Sequence, residues 1–349
     1  MLRLFIGVVF LGVLIWSINF ANDAGVFREI EPKSPGQCRV IQAEGLIGAE
    51  DITIDQVKGI AYISSYDRRA AQAGKKITGA LWTYDLNAAD AKPVPITNNW
   101  GKAILPHGIS FLRLPNGQER LFVIDHANRP EQELVHILDI SEGQATVLKT
   151  ITGPELRSPN DLVAVGENSF YFSNDHRFVS GLPRRIEDYL GLSLTDVYYF
   201  DGENFSLAVS DMSGANGINV SEDGAELYLA SARGSKIYVY HRDSDTGKLT
   251  EQSVLSMPGF PDNIERLPSG DLLIGVHSKA FALLAHGADP TKQAPSHVVK
   301  VSMNEKTPET LLYDKGDQLS GASVAAQYGN RLLAGGIFDD KFLDCKFSN

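Results

Sequence analysis

Residues 158–173 read SPNDLVAVGENSFYFS. Two polar residues, Asn160 and Asp161, precede a short apolar strand, a polar turn containing Gly166 follows, and the stretch ends in a second apolar strand. Gly and Asn suit tight turns because they tolerate positive φ. The stretch therefore predicts a β-hairpin whose first strand begins with polar side chains.

The same pattern recurs along the chain. Its copies cover residues 52–64, 109–124, 162–173, 218–231, 264–276 and 324–337, and their starts lie 46–60 residues apart. Further β-rich pieces between the copies bring each unit to about four strands, which is the composition of a propeller blade. We therefore expect an all-β, six-bladed β-propeller over residues 38–349, with two stacked sandwiches as the structural alternative.

An apolar run covers residues 4–18 and follows Arg3. Such a segment directs export, and the preceding basic residue keeps the N-terminus in the cytoplasm, so the rest of the chain is expected outside. The run approaches, but hardly reaches, the ~20 residues of a spanning helix. We predict an uncleaved hydrophobic helix that anchors the protein to a membrane over residues 1–22, then a linker over 23–37; a cleaved signal is the alternative.

The chain contains two cysteines, Cys38 and Cys345. Thiols oxidise in exported proteins, so a bridge between them would join the two ends of the propeller. The alternative is a pair of unrelated buried thiols.

Composition excludes several classes of protein. With 43% hydrophobic and 21% charged residues, the chain is globular rather than disordered or coiled-coil. A net charge of −11 argues against nucleic acid as a partner. No CxxC, HExxH, P-loop or GxGxxG motif is present, and residues 321–325 resemble a serine nucleophile elbow without its strand-turn-helix context.

Polar residues stand at a fixed phase of the repeat. Two positions before the first apolar residue of each copy come Glu50, His107, Asn160, Asn216, Asp262 and Ala322, and one position later come Asp51, Gly108, Asp161, Gly217, Asn263 and Ser323. In a propeller, residues at one phase of the innermost strands converge on the central axis. Carboxylate, amide and carbonyl oxygens are the ligands of Ca²⁺. The pattern predicts a calcium site on the axis, although Asn and Asp at such positions also cap turns.

Several motifs resemble those of the paraoxonase family. They are SPNDLVAVGENSFYFSNDHRF (158–178), PHGIS (106–110), ANGINVSEDG (215–224) and PDNI (261–264), together with the terminal cysteine pair and FREIEP (27–32) after the apolar segment. The resemblance covers nearly the whole chain. It implies a hydrolase of lactones and aryl esters.

The resemblance also implies roles for individual residues. A catalytic Ca²⁺ would be held by Glu50, Asn160, Asn216, Asp262 and Asn263, and a second, structural Ca²⁺ by Asp51, Asp161 and the Ile109 carbonyl. His107 and His126 would form a catalytic pair that activates water, and His176 would line the substrate pocket.

We therefore expect a calcium-dependent hydrolase acting on small lactone or ester substrates. The ion would polarise the carbonyl and a histidine would take a proton from water. Two alternatives stay open from the sequence: a sugar lactonase of the gluconolactonase kind, and a non-catalytic propeller that binds calcium for stability alone.

Overall fold

The structure is a computed structural model that describes residues 2–97 and 100–347. Its strands form six four-stranded antiparallel sheets. The innermost strand of each sheet contacts the innermost strand of the next, and the last contacts the first. This closed ring confirms the predicted six-bladed β-propeller.

Blades 1 to 3 follow one another along the chain. Blade 1 comprises β2 (Ala49–Asp55), β3 (Ile60–Ser65), β4 (Ala80–Asp85) and β5 (Val94–Pro95). Blade 2 comprises β6 (Pro106–Arg113), β7 (Glu119–Asp125), β8 (Leu134–Ser141) and β9 (Gln144–Ile151). Blade 3 comprises β10 (Pro159–Ala164), β11 (Phe170–Asn174), β12 (Thr195–Phe200) and β13 (Phe205–Met212).

Blades 4 to 6 complete the ring. Blade 4 comprises β14 (Ala215–Val220), β15 (Glu226–Ser231), β16 (Lys236–Arg242) and β17 (Leu249–Ser256). Blade 5 comprises β18 (Phe260–Arg266), β19 (Leu272–His277), β20 (Ser296–Ser302) and β21 (Thr307–Asp314). Blade 6 comprises β22 (Ala322–Tyr328), β23 (Arg331–Gly336), β24 (Phe342–Phe347) and the N-terminal strand β1 (Gly36–Ile41).

Blade 6 closes the ring because it contains strands from both ends of the propeller. Strand β1 pairs antiparallel with β24, and Cys38 lies directly opposite Cys345. The two sulfurs are bonded at 2.00 Å, which confirms the predicted disulfide. The predicted domain boundaries at residues 22 and 37 stay predictions, and residues 1, 98–99 and 348–349 of the predicted ranges lie outside the described residues.

Four helices accompany the strands in the described part of the chain. They are α1 (Leu2–Asp23), α2 (Arg68–Gln72), α3 (Gly181–Leu190) and α4 (Ala280–Ala288). The ring of Phe20 in α1 lies 6.4 Å from that of Tyr189 and 5.8 Å from that of Phe281, so α1 rests beside α3 and α4. Within residues 2–97 and 100–347, none of the helices combines the length and the apolar character that crossing a membrane requires.

The hydrophobic core is divided among the spaces between neighbouring blades. Ile52 of blade 1, for example, belongs to one cluster with Leu333 of blade 6. Phe122 of blade 2 and Phe170 of blade 3 belong to another. Because the blades pack face to face, even polar residues of an innermost strand are buried, and all seven residues of β2 lie out of solvent. Burial on both faces holds the axial side chains in fixed positions.

Candidate active site

Every innermost strand is irregular at the same place. The strand register shifts between Ala49/Asp51, Pro106/Ile109, Pro159/Leu162, Ala215/Ile218, Pro261/Ile264 and Ala322/Val324. These shifts span the polar positions of the repeat. A bulge leaves a residue out of the hydrogen-bond ladder and turns its side chain away from the sheet. The six bulges therefore turn side chains at these positions away from their sheets, at corresponding points of the ring.

Glu50 is the centre of the polar side chains at these bulges, which we call the axial cluster. Its Oε2 lies 3.4 Å from both His107 Nε2 and Arg68 Nη2. Asn263 Nδ2 donates to Glu50 Oε1 at 3.1 Å and to the Glu50 carbonyl at 3.0 Å, and Ser323 Oγ donates to the same carbonyl at 2.6 Å. Burial acts to raise the pKa of Glu50, but His107, Arg68 and Asn263 outweigh it and bring the pKa to about 2. Glu50 is therefore ionised at neutral pH.

Four of the five predicted catalytic calcium ligands carry a buried oxygen that accepts no hydrogen bond from the described residues. These oxygens are Glu50 Oε2, Asn160 Oδ1, Asn216 Oδ1 and Asn263 Oδ1. Buried polar atoms are nearly always satisfied, so four exceptions at two adjacent positions of the repeat require an explanation. The set consists of one carboxylate and three amide oxygens, which fits a hard cation such as Ca²⁺.

The fifth predicted ligand, Asp262, has a protein partner. Its Oδ2 lies 2.7 Å from Nε2 of His277. In the described part of the chain, no group of three or more His, Cys, Asp and Glu side chains is placed to bind a metal ion. Any metal site around Glu50 therefore needs the amide oxygens of Asn160, Asn216 and Asn263 as ligands.

Asp51 and Asp161 connect neighbouring blades. Asp51 accepts from the backbone N–H of Ile52 at 2.9 Å and of Ile109 at 2.7 Å. Asp161 accepts from Leu162 at 2.7 Å and from Ile218 at 2.8 Å. Burial and neighbouring carboxylates raise the pKa of both aspartates well above the usual range. A cation here would relieve this repulsion. Ile109 contributes its N–H; the role of its carbonyl stays a prediction.

Two glycines allow the innermost strands to approach each other. A Cβ on Gly108 would lie 2.6 Å from the Asn160 carbonyl oxygen, and one on Gly217 would lie 2.2 Å from the Asp262 carbonyl oxygen. These distances are below van der Waals contact, so no side chain fits at either position. The close approach places the polar phases of adjacent blades side by side.

His107 and His126 are hydrogen-bonded to each other. Nδ1 of His107 lies 2.6 Å from Nε2 of His126, whose Nδ1 lies 2.6 Å from Oε2 of Glu133. His126 follows β7 directly and is buried, so it is not a surface residue. Burial lowers its pKa well below the ordinary value for histidine. The structure thus links the two predicted histidines and directs His107 Nε2 toward Glu50.

His176 lies in an ion-pair cluster. Its Nδ1 is 2.9 Å from Asp175 Oδ1 and its Nε2 is 2.9 Å from Asp188 Oδ1, which also contacts Arg233. Burial acts to lower the pKa of His176, but the two aspartates raise it to about 9. Nε2 therefore holds α3 against the end of β11, while Nδ1 contacts the neighbouring Asp175. Its predicted role in the substrate pocket stays a prediction.

Three residues of the cluster were missed from the sequence: Arg68, Glu133 and His277. Arg68 is in the short helix α2, in the connection between the second and third strands of blade 1 and outside the hairpin that repeats. Glu133 precedes β8 and His277 ends β19. A second repeat phase, at the end of each second strand, would have indicated His126 and His277 together.

Comparison with known proteins identifies the family. The family model described as Arylesterase matches residues 29–347. This chain belongs to the arylesterase family. It is 32% identical over 334 residues to serum paraoxonase/lactonase 3 of Oryctolagus cuniculus, covering 92% of each chain. It is also 32% identical over 331 residues to serum paraoxonase/arylesterase 1 of Rattus norvegicus, again covering 92% of each. The resemblance noted in the sequence is thus confirmed.

Solved structures share the fold of this arylesterase-family chain at low identity. A luciferin-regenerating enzyme superimposes with a TM-score of 0.55 at 16% identity, covering 88% of this chain and 95% of that one. The calcium-binding protein regucalcin of Agrobacterium tumefaciens gives a TM-score of 0.54 at 12% identity, covering 90% and 95%. These similarities concern the architecture alone.

Proposed function

We propose that this chain is a calcium-dependent hydrolase of lactones and aryl esters. Hydrolysis of carboxylic esters is the activity for which its relatives are named. The observation that carries the calcium dependence is the set of four buried oxygens, on Glu50, Asn160, Asn216 and Asn263, that accept no hydrogen bond from the described residues.

The residues that would hold the catalytic ion are Glu50, Asn160, Asn216, Asp262 and Asn263. When bound, Ca²⁺ would supply positive charge that polarises the ester carbonyl. Asp51, Asp161 and the Ile109 carbonyl would hold the second, structural ion. The raised pKa values of these aspartates favour that assignment, because a cation would stabilise their ionised forms.

His107 would act as the general base. Its side chain retains 14% exposure, and its Nε2 faces Glu50. Histidine can accept a proton from water near neutral pH. His126 lies behind it and holds Nδ1, so the ring presents Nε2 to the cluster. The attacking water would lose its proton to this nitrogen as its oxygen bonds to the carbonyl carbon and the π electrons of the carbonyl move to its oxygen. The carbonyl would then re-form as the bond to the leaving alcohol oxygen breaks, and that oxygen would take the proton from His107.

The test is hydrolysis of an aliphatic lactone and of phenyl acetate by Glu50→Gln. We expect kcat/KM to fall by about 100-fold or more, because one ligand loses its charge and general base geometry is disturbed. Glu44→Gln is the matched control, since Glu44 is exposed. The unchanged protein should lose turnover in EGTA and regain it with CaCl₂. Full turnover in EGTA would disprove the calcium dependence.

We further propose that the protein is exported. The disulfide between Cys38 and Cys345 fits an oxidising compartment, as does the apolar N-terminal run. Retention of residues 1–22 as a membrane anchor stays a prediction. N-terminal sequencing of the mature protein tests it, and a start near Asn22 would show that the segment is removed.

A further inference from the structure

A third side chain extends the histidine pair. Glu133 Oε2 lies 2.6 Å from His126 Nδ1, and His126 Nε2 lies 2.6 Å from His107 Nδ1. The side chain of His126 is 2% exposed and that of Glu133 is 7% exposed. Asp125 pairs with Leu134 across β7 and β8, so His126 and Glu133 are the next residues beyond that pair. The two strands therefore place the carboxylate opposite the second histidine.

The chemistry of these contacts fixes the positions of the protons. An ionised carboxylate only accepts, whereas a neutral imidazole has one donor and one acceptor nitrogen. Glu133 must therefore accept the Nδ1–H of His126. Nε2 of His126 is then left to accept the Nδ1–H of His107, and His107 Nε2 carries a lone pair.

Glu50 lies at the other end of the histidine pair and favours the opposite tautomer of His107. Its Oε2 lies near His107 Nε2 and would stabilise a proton on that nitrogen. The separation is 3.4 Å, however, and is no hydrogen bond, while the contact to Glu133 is 2.6 Å. Hydrogen bonds weaken steeply with distance and poor alignment. Glu133 therefore determines the tautomers.

We propose that Glu133 is a positioning residue that sets both histidines in the tautomer with a free Nε2 on His107. This inference rests on the proposed function, because it concerns the base of that reaction. Glu133 touches neither the substrate nor the reacting water, and acts through His126.

Because of Arg129, the tautomers of both histidines depend on whether Glu133 is ionised or protonated. Its Nε donates to Glu133 Oε1, which leaves Oε2 facing His126. If Glu133 takes a proton, that proton must therefore sit on Oε2 and be donated to His126 Nδ1. Both histidines then reverse their tautomers, and His107 Nε2 becomes protonated and unable to act as a base.

The surroundings place this reversal near neutral pH. The pKa of Glu133 is raised to about 7, because burial and the charges of Asp175 and Asp125 raise it by more than Arg129 lowers it. Among the described residues, the other titratable group hydrogen-bonded to Glu133 is His126, which stays neutral because burial lowers its pKa. Glu133 and Arg129 also line a groove of about 680 Å³, through which the carboxyl group can exchange protons with solvent.

The variant Glu133→Gln tests the proposal. Arg129 requires the amide oxygen at the Oε1 position, so the amide nitrogen would donate to His126 Nδ1 and reverse the tautomers at every pH. We expect kcat for lactone hydrolysis to fall by about 100-fold or more with KM unchanged. Glu131→Gln is the control, because Glu131 is exposed and lines the same groove. It should keep the kcat and pH profile of the unchanged protein.

A direct readout is the tautomer itself. Two-bond ¹⁵N–¹H correlations of histidine-labelled protein distinguish Nδ1–H from Nε2–H, and His126→Gln assigns the signals. At pH 8 the unchanged protein should carry the His126 proton on Nδ1 and Glu133→Gln should carry it on Nε2. The unchanged protein should make the same switch on acidification to pH 6, a measurement that does not require the variant to fold.

The outcomes separate this proposal from the proposed function. Identical His126 tautomers in the unchanged protein at pH 8 and pH 6 would overturn the role of Glu133. So would full kcat in Glu133→Gln while His107→Gln is inactive, and the general base assignment would then survive. Full activity of His107→Gln would refute that assignment and, with it, the positioning role.

Discussion

Arg68 brings a buried positive charge to the carboxylate of Glu50, 3.4 Å from its Oε2, and its own Nη2 has no hydrogen-bond acceptor among the described residues. A bound cation would neutralise the Glu50 carboxylate in place of Arg68. We therefore expect Arg68→Met to lower the Tm by about 3 °C or more in EGTA, because a buried charge loses its partner, and by less in CaCl₂. Differential scanning calorimetry in both buffers measures the two shifts. Arg69→Met is the control: Arg69 donates to the carbonyls of Phe338 and His286 and should lower the Tm equally in both. Equal shifts for Arg68→Met would contradict a cation beside Glu50.

Helix α3 is attached to blade 3 through His176, which links Asp175 to Asp188 in the helix. The aspartates raise the pKa of His176 to about 9, above its ordinary value of about 6.5. The stability that the ion pairs of His176 contribute is thus fully present below pH 6.5 and is lost as the pH rises through 9. We expect amide exchange in residues 181–190, corrected for the intrinsic rate, to accelerate between pH 7 and 9.5. In His176→Gln the exchange should be fast at both pH values, whereas His241→Gln, at an exposed histidine, should keep the dependence. No acceleration in the unchanged protein would show that α3 is held by other contacts.

The disulfide joins residues 307 positions apart and closes the whole ring. In the entropic description, cross-linking so long a loop stabilises the folded state by up to about 5 kcal/mol. We expect the variant with both cysteines replaced, Cys38→Ala and Cys345→Ala, to unfold at a clearly lower guanidinium concentration with the same cooperativity. Reducing agent should lower the midpoint of the unchanged protein to that of the variant and leave the variant unaffected. An unchanged midpoint would mean that the pairing of β1 with β24 suffices to keep the ring closed.

The sequence predicts the ring and most of the axial cluster because both follow from repetition. Each copy of the hairpin places its polar phase on an innermost strand, so Glu50 and Asn263 are identified before any contact is known. Arg68 and Glu133 belong to connections of different length in each blade, and no repeat phase indicates them. Hydrogen-bond partners such as Glu133 for His126 depend on strand register, which the hairpin pattern alone does not fix.

Blade 6 combines the first strand of the propeller with the last three, and this order affects how the protein is made. A ribosome must deliver the five intervening blades and two strands of blade 6 before β1 (Gly36–Ile41) finds its neighbour β24 (Phe342–Phe347). A premature stop codon before Phe342 would leave β1 without that neighbour and β23 with an open edge, the kind of surface on which chains aggregate. Loss of β24 alone would thus leave blade 6 incomplete and the ring without its closing strand pair.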